Sequence, residues 1–137
     1  MRVVLDTNVM ISALINRKGS AAKILSLIFD GNIKIVYDNR LLFEYLEVLS
    51  KGFGFNVDII NDTMYFIRYE GSFNEAAFND MDYPAVKFHD EADKKFYEVY
   101  KAGEADYLIT GNRKHFTDDY GIMIPGEFIK IYEKHKS

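Results

Sequence analysis

The chain has no cysteine, no tryptophan, two prolines and three histidines. Without cysteine there is no disulfide and no thiolate metal site. His89, His115 and His135 are too scattered to show zinc-like spacing. No apolar stretch approaches the roughly 20 residues that cross a bilayer. The first residues lack the charged start, apolar run and cleavage site of a secretion signal. The expectation is therefore a cytoplasmic protein with no membrane partner. Positive charge is also in short supply: 17 Lys and Arg against 21 Asp and Glu give a net charge of -4 and a pI near 5.4. That balance argues against bulk electrostatic attachment to nucleic acid, which usually needs a basic face. It leaves open an enzyme that meets nucleic acid through bound metal ions.

What is present is an ordinary globular balance, 48% hydrophobic and 28% charged over 137 residues. That length predicts one domain spanning residues 1–137, able to bury its own core. Strand-like and helix-like segments alternate, which predicts parallel α/β architecture. Val3 to Leu5, Ile33 to Tyr37, Tyr107 to Ile109 and Ile122 to Ile124 read as strands, with a further short one at Ala85 to Phe88. Helices are predicted at Val9 to Leu14, from an N-cap at Ser20, and from Asp38 or Asn39 to Ser50. The last of these should bury Leu41, Leu42, Tyr45, Leu46 and Leu49. More follow at Asp58 to Tyr69, at Asp90 to Lys101 with Gly103 as terminator, and from Pro125 onward. Gly71 to Tyr83 reads as irregular loop or strand fragment.

The first strand stops on Asp6, and in open α/β sheets the carboxyl ends of strands are where ligands gather. The plain alternative is that Asp6 only caps the next helix. Glu44 lies amid the apolar stripe of its helix, or is a solvated neighbour of Glu47. Asp93 and Asp90 open a helix, where acids also suit the helix dipole. Thr110-Gly111-Asn112 ends the Tyr107 strand, and Asn112 is also a candidate turn residue with positive φ. If the strands are parallel, Asp6 and Asn112 emerge at one edge. Clustered carboxylates repel and persist where a cation neutralises them. Hard oxygen donors without sulfur or clustered imidazole favour Mg2+ or Mn2+.

Four segments occur in order: Val4-Leu5-Asp6-Thr7-Asn8, Leu41-Leu42-Phe43-Glu44, Asp90-Glu91-Ala92-Asp93 and Ala105-Asp106-Tyr107-Leu108-Ile109-Thr110-Gly111-Asn112. Together they resemble a PIN domain, and more narrowly the VapC-like toxin components of toxin–antitoxin systems. The ending Ile122-Met123-Ile124-Pro125 is similar to that group as well. The resemblance implies a three-layer α/β/α sandwich with a central, mainly parallel sheet. It implies a Mg2+- or Mn2+-dependent ribonuclease whose site residues are Asp6, Glu44, Asp93 and Asn112. Asp90 and Asp106 would be further metal ligands, with Asn8 and Thr110 in support. Asn112 stands where many members carry a fourth acid, which lowers the charge of the site. An RNA substrate, a small antitoxin and a homodimer follow from the same resemblance.

Arg17-Lys18 and Arg113-Lys114 are expected in loops rimming the site, in contact with RNA phosphates or merely solvated. One of Lys94 and Lys95 is placed to pair with a site carboxylate. Phe53 and Phe55 either form an exposed patch for a partner or tuck into the core. Two other readings stay open: an inactive PIN-like binding or scaffold module, and another metal-assisted phosphatase or phosphotransfer domain. The second lacks the expected acid two residues after Asp6, where Asn8 stands.

Overall fold

The computed structural model describes residues 1–73, 93–116 and 119–136. The expected strand at 85–88, most of the 71–83 segment and Asp90 lie outside the described residues. Five strands form one sheet: β1 (Arg2–Leu5), β2 (Lys34–Tyr37), β3 (Ser72–Phe73), β4 (Tyr107–Ile109) and β5 (Ile122–Met123). Their spatial order is β3-β2-β1-β4-β5, and every pairing is parallel. Among the described residues six helices flank the sheet: α1 (Thr7–Ile15), α2 (Ser20–Phe29), α3 (Asn39–Ser50), α4 (Val57–Glu70), α5 (Lys94–Ala102) and α6 (Pro125–Lys136). A short 3-10 turn covers Arg113–His115.

The apolar strand sequences explain the layering. Val3, Val4 and Leu5 are each at most 1% exposed although successive strand residues face opposite sides. Both faces of the sheet must therefore be covered, as in a three-layer α/β/α sandwich. α5 lies on β1, β4 and β2, while α1 packs on α2 and α2 on α6.

Local sequence accounts for most helix ends. Asp38 caps α3 by accepting from the Leu41 N–H at 3.1 Å. Asn56 caps α4, accepting from the N–H groups of Asp58 and Ile59. Gly52 and Gly54, both at positive φ, break the chain between α3 and α4.

Several expectations are corrected. Gly19, not Ser20, is the N-cap of α2, and Ser20 is the first helical residue. Leu46 points outward at 41% exposure, because it sits at the edge of the stripe formed by Leu41, Tyr45 and Leu49, beyond the contact that α3 makes. Gly103 does end α5, but with φ of -79°; the left-handed residue is Glu104, at φ 50°. Phe53 is exposed and Phe55 half-buried, their rings stacked at 6.0 Å.

Candidate active site

The chain leaves β1 to build β2 and β3 on one side, then returns to place β4 on the other. The crevice between β1 and β4, at their carboxyl ends, is thus the topological switch point of the sheet. The register pairs Leu5 with Ile109, so Asp6 and Thr110 emerge side by side. The Asp6 N–H donates to the Ile109 carbonyl at 2.9 Å, extending the ladder by one bond. The Thr110 hydroxyl donates to Asp6 Oδ2 at 2.8 Å and accepts from the Asn112 N–H at 3.1 Å. Asp6 occupies the N-cap position of α1 without a hydrogen bond of capping geometry, although the Asn8 N–H lies near enough to its carboxylate to favour the charged form.

Asp6 is 7% exposed, and its pKa is raised, first by burial and then by the charges of Asp93 and Glu44. The Thr110 hydroxyl and the Asn8 N–H pull the other way. Three expected acids are therefore close enough to feel one another. Asp93 stands at the N-cap position of α5 without capping it, and its Oδ2 is buried. Glu44 is held at both oxygens: the Thr7 hydroxyl donates to Oε2, and the Lys95 ammonium lies 2.6 Å from Oε1. Lys95 is thus the member of the lysine pair that meets a site carboxylate. Beneath them the buried Tyr45 hydroxyl donates to the Leu5 carbonyl at 2.5 Å, fixing the strand end just before Asp6. Burial and the surrounding carboxylates keep that phenol neutral far above its usual range.

The remaining expected residues divide. Asn8 is exposed and contributes through its main-chain N–H. Asn112 is exposed beside Thr110 with φ of -139°, so it is not a left-handed turn residue. Arg113 and Lys114 follow it at the same edge, but Arg113 pairs with Glu127 of α6 at 3.1 Å. Asp106 is not at the site. It precedes β4, so it lies at the opposite edge of the sheet, about 13 Å from Thr110 by strand rise. There it accepts from the Arg2 N–H at 2.8 Å. Arg17 and Lys18 do not rim the acids either. They follow the far end of α1, whose nine residues span roughly 13 Å. Arg17 lines a groove with Phe29, Phe55 and Ile59.

An ion-pair bridge at the end of the neighbouring strand was missed by sequence reasoning. Asp38, 1% exposed at the end of β2, is bridged by Arg40 to Glu98 of α5, at 3.0 and 3.2 Å. The signal was present: Ile33 to Tyr37 followed by Asp38 repeats the apolar-strand-then-aspartate pattern of Val3 to Asp6.

Among the described residues no three acidic or histidine side chains form a ready-made metal cage. Mg2+ does not require one, since it is commonly held by one or two carboxylates with water and substrate phosphate completing the shell. Asp6 and Asp93, hard donors that disfavour each other's charge, fit that pattern. Glu44 fits it less well, with both oxygens engaged.

A family model for the PIN domain matches residues 2–114. This chain belongs to the PIN domain family. Its fold is similar to a solved structure of VapBC2 from Rickettsia felis bound to a DNA fragment from their promoter. That match has 19% identity, a TM-score of 0.55, and covers 83% of this chain and 90% of that one. No curated protein sequence matches. The switch-point acids of this PIN domain thus sit on a scaffold shared with a VapBC2 chain, while the two sequences have diverged widely.

Proposed function

We propose that this PIN domain is a Mg2+- or Mn2+-dependent endoribonuclease, the toxin of a type II toxin–antitoxin pair. The observation that carries the reading is the buried Asp6 carboxylate at the switch point, charged against Asp93 and Glu44. A bound divalent ion would lower the pKa of a water and offset charge on the scissile phosphate. Asp6 and Asp93 would hold it, with Asp90 and the Asn112 amide as further candidate donors. Thr110 orients Asp6 by donating to Oδ2, which would hold the carboxylate in place as a metal ligand. Glu44 is fixed by Thr7 and Lys95 and shapes the field around Asp6. Lys114 is the basic residue best placed for a phosphate, at the carboxyl edge and exposed.

A small antitoxin is the proposed partner, by likeness to VapBC2. A homodimer is proposed as well, supported by Phe43 and Leu46, exposed one turn apart on α3 at 72% and 41%.

The test is cleavage of a structured RNA mixture by the purified protein with Mn2+, Mg2+ or EDTA, beside Asp6→Asn. Metal-dependent cuts with 5′-phosphate ends, absent in the variant, are expected. Equal background in both proteins, with no Mn2+ bound in calorimetry, would sink the nuclease reading in favour of a scaffold.

A further inference from the structure

Among the described residues two ion pairs tie α5 to α3, and they alternate in sign. Along α3, Arg40 is positive and Glu44 negative; along α5, Lys95 is positive and Glu98 negative. Lys95 Nζ lies 2.6 Å from Glu44 Oε1, and Arg40 Nη1 lies 3.2 Å from Glu98 Oε1. Arg40 and Glu44 are four residues apart and Lys95 and Glu98 three, about 6 and 4.5 Å of helix. The two rungs therefore match in spacing. Sliding α5 by one turn would face Lys95 with Arg40, or Glu98 with Glu44, like charge against like. The charges favour one alignment, the same one that buries Phe96 and Val99.

Arg40 also reaches the sheet. Its Nε and Nη2 lie 3.1 and 3.0 Å from Asp38 Oδ2. Val3 pairs with Ile35, so three residues further on Asp38 ends β2 beside Asp6 at the end of β1. Asp38 is 1% exposed and Glu98 9%, so two buried carboxylates share one guanidinium. A planar fork serves both at once, whereas a lysine ammonium is a single point charge.

We infer that Arg40 is a positioning residue: by joining Asp38 to Glu98 it holds the first turns of α5, and with them Asp93, against the strand end that carries Asp6. This rests on the nuclease reading proposed above and deepens it. Asp93 stands at the N-cap position of α5, so a swing of that helix moves its carboxylate relative to Asp6.

The test compares the wild type with Glu98→Met, Glu98→Gln, Arg40→Lys and the double variant Glu98→Met/Arg40→Lys. Each leaves Asp38 a cationic partner. The readouts are metal-free amide hydrogen exchange over residues 94–102, with α6 as reference, and kcat and KM on RNA with Mn2+. Glu98→Met and Arg40→Lys should each speed exchange in α5 about tenfold, the scale of one lost charge-assisted hydrogen bond, and leave α6 unchanged. Both should lower kcat and keep KM, and the double variant should be no worse than either single one. Glu98→Gln, whose amide oxygen accepts the same N–H, should stay close to the wild type. Unchanged exchange in α5, an equal rise in α6, additive losses in the double variant, or faster α5 exchange with kcat intact overturns the inference. If the wild type cuts no RNA, the nuclease reading falls, and exchange alone decides whether the bridge holds α5.

Discussion

Burial makes the charged form of Asp6 costly, and the direction of its pKa shift gives that cost a pH signature. The folded-state pKa lies above the ordinary 3.8, chiefly through desolvation and then through Asp93 and Glu44. The native state therefore holds this proton more readily than the unfolded chain. The stability it contributes is present below pH 3.8 and is lost as pH rises through the folded value. At pH 7 in EDTA, Asp6→Asn should melt about 3–5 °C higher than the wild type, for relief of roughly 1 kcal/mol. The gap should close as the pH approaches 4. A variant that melts lower at pH 7 would show that Asp6 is stabilising, contrary to its buried, like-charged setting. Thr110→Val removes a hydroxyl that lowers the Asp6 pKa. Its metal affinity should drop about 10- to 100-fold, as for other groups that orient a ligand. The acid limb of any activity should move to higher pH. Asp6 was legible in the sequence as a strand-end acid, because an apolar run that stops on a carboxylate marks where the strand ends. Its dependence on Thr110 came only by family likeness, since a partner 104 residues away is set by strand pairing.

Helix ends and tight contacts decide matters at the scale of elements. Asn56 is exposed, and its only described side-chain hydrogen bonds are the two that cap α4. Asn56→Ala should therefore cost about 1 kcal/mol in urea unfolding with an unchanged m-value. Gly71 ends α4 where the chain turns into β3. A Cβ there would lie 2.8 Å from the Tyr37 ring and 3.0 Å from the Ile35 side chain, both in β2, and closer still to the Ile67 carbonyl. Gly71→Ala should cost roughly 1–3 kcal/mol, the range for overpacking. A cost as small as that of a surface substitution would mean that α4 can back away from the sheet. Asp38 was readable as a cap because an oxygen acceptor directly before a helical stripe is favoured at the N-cap. Leu46 was not. Leu41, Leu42, Tyr45, Leu46 and Leu49 cover an arc wider than the contact α3 makes, and only neighbouring elements say which edge stays wet. Gly103 was readable as the end of α5, whereas the left-handed conformation falls on Glu104, which no local signal marks.

On the proposed nuclease reading the whole chain poses an electrostatic problem: a net charge of -4 would have to accept a polyanion. The order of segments was enough to read the parallel sheet, because each βα unit carries its own periodicity. Which loops meet at the carboxyl edge was not readable, and the basic residues show why. Arg17-Lys18 and Arg113-Lys114 look equivalent in the sequence, but α1 carries the first pair away from Asp6. Of the second pair, Arg113 is tied to Glu127. On that reading Lys114 is the exposed candidate contact of the four, and a bound divalent ion would supply most of the attraction. Single-stranded RNA releases about 0.7 counterion for each phosphate neutralised. With Asp6→Asn in EDTA, binding of a short RNA should then show a log–log salt slope near -1 rather than about -3. Going from 50 to 200 mM salt should weaken it only about fourfold. Lys114→Ala should flatten that slope, whereas Arg17→Ala and Lys18→Ala should leave it unchanged. A slope near -3 that falls in the Arg17 and Lys18 variants would mean that RNA tracks across α1 to the far end of the molecule.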